Sequence, residues 1–224
     1  ISDRMLMDLI RAGQAAATSS HIQATTVIRV TDEDKREQLA EVAGGQAYVK
    51  EAPEFLVFCA DMRRSSRCCE MHGESAADGM TEHMIIATVD VALFAQNVVV
   101  AAESEGLGIC YIGALRNDPA RVSELLELPA GVYPVFGLCL GYPDQNPEVK
   151  PRLPVSMVLK ENIYSDSEDM AALQRYDDEV RKYYLTRTGG NKESNWSEQM
   201  AVTLSKEARP HMQGFLKSQG FMLK

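Results

Sequence analysis

Between Gly79 and Gly106 the chain reads "MTEHMIIATVDVALFAQNVVVAAESEGLG", about 25 residues with neither proline nor glycine. No other stretch limits the fold so strongly. It predicts one long helix that stops at Gly106, apolar on most of its faces and so wanting neighbours on most sides. A chain of 224 residues seldom surrounds such a helix by itself. A tight dimer with this helix at the interface is the natural solution.

The flanking segments set the fold class. Residues Asp3 to Ala17 carry Met5, Leu6, Leu9, Ile10 and Ala12 at helical spacing, and "TSSHIQ" ends that helix with hydroxyls. "TTVIRVT" predicts a strand, and "DEDKREQLAEVAGG" a capped helix closed by Gly44 and Gly45. "EFLVFCAD" is almost unbroken apolar sequence, as in a strand buried on both faces. Residues 61–79 are polar and predict an irregular excursion. "GICYIGALRN", "YPVFGLCLGYP" and "VSMVLKE" then predict two or three strands, with a short helix from Pro119 to about Glu127. "SDSEDMAALQRYDDEVRKYYLTR" predicts an amphipathic helix, "TGGNKESN" a loop, and the last 30 residues one or two helices. Helices and strands interleave without strict alternation, which predicts an α+β fold with a mixed, largely antiparallel sheet flanked by helices. The composition change after Glu161 divides the chain into a core of residues 1–160 and a helical excursion of residues 161–224.

The net charge is −9, yet from Arg181 to Lys224 eight Lys and Arg face three Asp and Glu. A basic segment on an acidic body argues against nucleic acid, which needs a broad basic face, and suits a small anionic ligand. The histidines are scattered and the neighbours Cys68 and Cys69 have no metal-ligand spacing, so no metal site is expected. No membrane span is expected, because charged and polar residues interrupt every apolar run. The start "ISDRMLMDLI" lacks the features of a signal peptide, and Cys59, Cys110 and Cys139 lie inside apolar runs as buried thiols do, so a cytoplasmic location is expected.

"NPEVKPRLP" places Lys150 and Arg152 on either side of Pro151, with Pro147 and Pro154 outside them. Each proline fixes its own φ and pushes the residue before it toward extended geometry, so the two cations are held in defined directions. The segment reads either as a solvated surface loop or as a preformed clamp for an anion such as phosphate.

Taken in order, "ATSSHIQ", "AGGQAYV", "AAESEGLGICYIGALRN", "FGLCLGYPDQNPEVKPRLP", "YYLTR" with "WS" after it, and "ARPHM" resemble the oxygen-insensitive nitroreductases and flavin reductases, an NADPH-preferring, FMN-containing family. The resemblance covers nearly the whole chain. It implies a homodimer with FMN at each of two interfacial sites, and Lys150 and Arg152 as grips on the FMN phosphate. It implies that Thr18, Ser19 and Ser20 hydrogen-bond the flavin edge, where the residues alone read as a helix stop. Gln46, which alone reads as a helix cap, would contact the ring system. Tyr111, Ile112 and Gly113 would lie along the flavin, with the backbone N–H groups of Ile112 and Gly113 donating to it. Arg187 and Lys192, otherwise a solvated loop, would bind the 2′-phosphate of NADPH. His21, standing where many members have an aromatic residue, would face the substrate with Arg116 and Arg209. The family also has a short helix with a His-Arg-Ser-x-x-Arg-type motif that adds to the phosphate grip. Its place lies ahead of Ile1, so FMN is expected to be held less tightly without it. The implied activity is ping-pong, two-electron reduction of nitroaromatics and quinones by NADPH, with no catalytic side chain because the flavin carries the chemistry. The alternatives are an NADPH-flavin reductase supplying reduced FMN, and a flavin-binding protein without turnover.

Overall fold

The computed structural model describes residues 1–187 and 192–224, and these fall into two units: residues 1–143 with 209–224, and residues 144–208. The boundary expected at residue 160 lies earlier, and the last 16 residues return to the first unit because Phe215, Leu216 and Phe221 are part of its core.

In the larger unit, α1 (Asp3–Gln14) is capped by the Ser2 hydroxyl, which accepts from the Met5 N–H at 3.2 Å. Strand β1 (Thr25–Arg29) follows, then α2 (Glu33–Val42), capped by Asp32, and a single turn, α3 (Tyr48–Glu51). Strand β2 (Glu54–Asp61) is buried along its whole length. Residues 61–79 are not irregular throughout: Arg63–Met71 form α4. Its polar surface hid the helix from a reading based on apolar periodicity. The long helix α5 (Thr81–Ser104) ends at Gly106, whose φ of 75° lets the Leu107 N–H reach back to the Ala102 carbonyl at 2.9 Å. Then come β3 (Gly108–Ile112), a 3-10 turn (Gly113–Asn117), α6 (Pro119–Leu125) and β4 (Val132–Gly141). The unit closes with α10 (Met212–Ser218), after the three intervening helices of the smaller unit.

The sheet order is β1-β2-β4-β3, and every described pairing is antiparallel, so the sheet is not mixed within the described residues. Alternation in β2 builds two cores. Leu56, Phe58 and Ala60 face one cluster with α1, α5 and α10; Phe55, Val57 and Cys59 face another with α2, α3 and α6. A register shift at Phe58/Cys59 lets β4 change phase, so that Tyr133, Val135, Leu138 and Leu140 all meet the first cluster.

Helix α5 lies across the sheet through Ala87, Val91, Ala95, Val98, Val99 and Ala102. Within one chain it is not buried all round. Ile85, Val89, Leu93 and Val100 are 46–56% exposed, a stripe at helical spacing on the face away from the sheet. This helix is also long and apolar enough, by length and composition alone, to cross a membrane; a third of its most apolar window is buried inside the chain.

In the smaller unit, "VSMV" is one helical turn, α7 (Val155–Val158), and not a strand, since it follows Pro154 without a pairing partner. Helix α8 (Asp169–Thr186) aligns Tyr176, Val180 and Tyr184 against Leu153 and Trp196. Helix α9 (Trp196–Leu204) is capped by Asn195. Half of the loop expected at "TGGNKESN", residues 188–191, lies outside the described residues.

A Cβ on Gly137 would stand 2.6 Å from the ring of Phe55 and 3.2 Å from Cβ of Ile112. Both neighbours are fully buried. Gly137→Ala is therefore expected to destabilise the protein by about 1–3 kcal/mol through overpacking. Urea unfolding followed by circular dichroism measures this.

Candidate functional site

In the larger unit, the chain leaves α1 and makes a 3-10 turn at Ser19–His21. Ser20, His21 and Gln23 all have positive φ, at 47°, 58° and 56°. Glycine is absent from this turn, so each of these residues sits in a region that side chains disfavour. The turn exposes Ser19, Ser20 and His21, and His21 Nε2 lies 3.1 Å from Gln23 Nε2. Among the described residues Thr18 Oγ1 is buried without a hydrogen-bond partner, as is Thr25 Oγ1. Thr18, His21, Gln23 and Thr25 line a cavity of about 600 Å³ together with Arg64 and Cys68 of α4.

The other expected flavin contacts of this unit lie at sheet and helix ends. The Gln46 amide donates to the Ala43 carbonyl at 2.5 Å and accepts from the Tyr48 hydroxyl at 2.5 Å, so it caps α2 locally. Tyr111 is 39% exposed, and its ring meets Phe136 edge-on at 5.1 Å. Ile112 is buried at the end of β3, and Gly113 opens the 3-10 turn with Arg116 over it: a Cβ there would lie 3.3 Å from the Arg116 guanidinium. Arg116 donates to the Val135 carbonyl at 2.5 Å, and the His211 ring bonds the Arg116 carbonyl at 2.9 Å. Arg209, at φ 54°, donates to the Asn117 side chain at 3.1 Å. Burial pushes the Arg116 pKa down, and the positive charge of Arg209 adds to that. The structure thus brings Arg116 and Arg209 together, and neither forms an ion pair among the described residues.

The smaller unit groups its cations differently from the sequence expectation. Arg152 turns back on its own backbone, donating to the Lys150 carbonyl at 2.7 Å. In proline-rich extended chain, residues two apart lie about 120° apart around the axis, so the two side chains need not converge. Lys150 instead stands 5.1 Å from the centre of the Tyr184 ring, with Arg187 at 4.9 Å and Lys192 at 5.5 Å. Three cations therefore surround one aromatic ring. None of them pairs with a carboxylate among the described residues, and Arg187 Nε is a buried donor without a partner. The nearby Lys150 ammonium pulls the Tyr184 phenol below its ordinary pKa against the opposing effect of burial.

Asp90, Asn117, His211 and Tyr184 were not singled out by sequence. Only Asp90 left a signal there, as the one acid within "MIIATVDVALFA". The thiols of Cys59 and Cys139 are each pushed up to about 12, chiefly by burial, and do not act as nucleophiles at neutral pH. Among the described residues no group of three or more His, Cys, Asp or Glu could hold a metal ion.

Each unit supplies donors of its own: the larger unit a buried hydroxyl, the smaller a cation cluster, neither with a partner among the described residues. The frame of the larger unit is an antiparallel sheet crossed by one long helix. The chain belongs to the nitroreductase family: residues 1–142 match the nitroreductase family model and residues 150–224 match the nitroreductase family C-terminal domain. It is 47% identical over 220 residues to an NADPH-flavin oxidoreductase of Vibrio harveyi, covering 98% of this chain and 90% of that protein. It is 42% identical to an oxygen-insensitive NADPH nitroreductase of Salmonella typhimurium, covering 99% of this chain and 90% of that one. The solved structure of an NADPH:FMN oxidoreductase from Vibrio harveyi complexed with NAD⁺ superposes with a TM-score of 0.90 at 43% identity, covering all of this chain and 91% of that one.

Tyr184 offers a direct readout of the cation cluster. Its lowered pKa means that its phenolate forms at lower pH than that of an ordinary tyrosine. Ultraviolet titration, with Tyr184→Phe as the subtraction standard, should show an early-titrating tyrosine. Lys150→Met should move it upward.

Proposed function

We propose that this protein is an FMN-dependent NADPH oxidoreductase that reduces nitroaromatics and quinones by two-electron transfer, with NADPH and the acceptor using one pocket in turn. The observation that carries the proposal is the set of three cations around Tyr184, none paired with a carboxylate among the described residues, a grouping suited to phosphate-bearing ligands. The names of the relatives support NADPH as donor and flavin as cofactor. Bound FMN would supply the hydride-accepting and hydride-donating ring. The chain's own residues bind and orient.

In the smaller unit the proposed roles are Lys150 and Arg152 toward the FMN phosphate, and Arg187 and Lys192 toward the 2′-phosphate of NADPH. In the larger unit Thr18, Ser19 and Ser20 serve the flavin edge, Gln46 and Tyr111 to Gly113 the ring, and His21, Arg116 and Arg209 the acceptor. Release of the Gln46 amide from its cap would be needed before it met a ligand. Two positive groups at Arg116 and Arg209 suit an acceptor whose oxygens become negative as it is reduced.

Two copies of the chain are proposed to associate through Ile85, Val89, Leu93 and Val100, an apolar stripe too large for a single chain to leave in water without cost. The free and buried thiols of Cys59 and Cys139 support a reducing, cytoplasmic location. A second reading, supply of reduced FMN to another protein, is favoured by the name of the 47% identical relative.

Anaerobic NADPH should bleach the flavin absorbance of the FMN-loaded protein, and a nitrofuran should restore it. Free FMN replacing the nitrofuran as the faster acceptor would favour the second reading. Absence of bleaching would leave only flavin binding. Lys150→Ala should weaken FMN by about 1.5–3 kcal/mol, roughly ten- to a hundredfold in Kd, and leave riboflavin nearly unchanged. Calorimetry on both ligands decides this, and equal losses would remove the phosphate assignment. Arg187→Ala should raise KM for NADPH with little effect on NADH, as read from steady-state rates with each nucleotide. Leu93→Asp should give monomers by light scattering.

A further inference from the structure

We propose that Asp90 is a positioning residue: from the middle of α5 its carboxylate fixes the strained Ser19–Gln23 turn that carries Ser19, Ser20 and His21. This rests on the assignment of that turn to the flavin and acceptor site. Asp90 is 1% exposed. Its Oδ1 accepts from the Ser19 N–H at 3.1 Å and its Oδ2 from the Ala24 N–H at 3.2 Å. One carboxylate therefore bridges the two ends of the turn.

The other buried carboxylates are neutralised. Glu54 pairs with Arg29 at 2.6 Å, and Asp61 lies 3.5 Å from Arg64 and accepts from the Thr26 hydroxyl at 2.6 Å. Asp90 has no cation within 4.0 Å among the described residues. A buried carboxylate without a cation is costly, and only its charge-assisted bonds to the turn offset that cost. The turn in its own right needs the anchor. Three of the four residues from Ser20 to Gln23 hold positive φ without being glycine, and such backbone persists only where its surroundings over-determine it. Just before the turn, Thr18 Oγ1 is buried with no hydrogen-bond partner among the described residues. Without the carboxylate the turn relaxes toward ordinary φ, and Ser19, Ser20 and His21 lose their places.

The test compares FMN-loaded wild type with Asp90→Asn, which keeps the side chain's shape but removes the charge and one acceptor. FMN Kd and acceptor KM should each rise roughly tenfold, as expected for one lost charge-assisted bond, with a smaller change in kcat. Adding Gln23→Gly should recover part of that loss, because glycine holds positive φ without strain. Glu54→Gln serves as a control that lowers the melting temperature away from the turn and should leave Kd and KM unchanged. If Asp90→Asn does not fold, Gln23→Val takes its place. A β-branched residue cannot keep a φ of 56°, so the turn is lost with Asp90 intact and the same rises are expected. Wild-type Kd and KM in the variant, or equal changes in Glu54→Gln, would overturn the proposal. If the wild type neither binds FMN nor oxidises NADPH, the assignment of the turn fails, and the proposal with it.

Discussion

The contact between α5 and the centre of the sheet organises the larger unit. A helix of 24 residues lays Ala87, Val91, Ala95 and Val98 against the sheet, taking their apolar surface out of water, and small side chains let it lie close. α1 then packs on α5, with Gly13 against Phe94 and Val98 where a Cβ would come within 2.3 Å. The turn after α1 is consequently placed over Asp90. The same helix that closes the core thus sets the position of the turn proposed to meet the flavin, and its outer face carries the stripe proposed to meet a second copy.

Much of this was legible in the sequence because it follows from periodicity and punctuation. The unbroken run before Gly106 gave α5, the continuous apolar stretch at Glu54–Asp61 gave a strand buried on both faces, and Gly44 and Gly45 gave the end of α2. The misses have physical causes. α4 carries few buried apolar residues, so no hydrophobic stripe announced it. "VSMV" has strand-like composition, yet a strand exists only where a neighbour pairs with it, and none does. The return of residues 209–224 to the first core is a long-range packing event that no local pattern encodes.

The site was legible in parts. The family resemblance named Lys150, Arg187 and Lys192 and assigned them to two separate ligands, whereas the structure gathers all three around one ring. Structure groups Lys150 with Arg187 and Lys192 because Tyr184, on the buried face of α8, projects a ring to which each cation can come near. An aromatic ring attracts cations weakly and without directional demands, so it can hold three positive side chains ready where a carboxylate would neutralise them. Asp90 escaped notice for the opposite reason: its role depends on two backbone N–H groups distant in sequence.

The discontinuity of the larger unit bears on how the chain is made. Leu223 and Lys224 donate to the Gly79 carbonyl at 2.7 and 3.0 Å, and the Thr81 hydroxyl donates to the Lys224 carbonyl at 2.9 Å. Contacts that join residues more than 140 positions apart cannot form until synthesis has passed them. During translation the Phe215, Leu216 and Phe221 side of the core around the sheet and α5 therefore stays open until these residues have been made. α5, a helix apolar along most of its length, therefore lacks one side of its cover until residues 209–224 have been made.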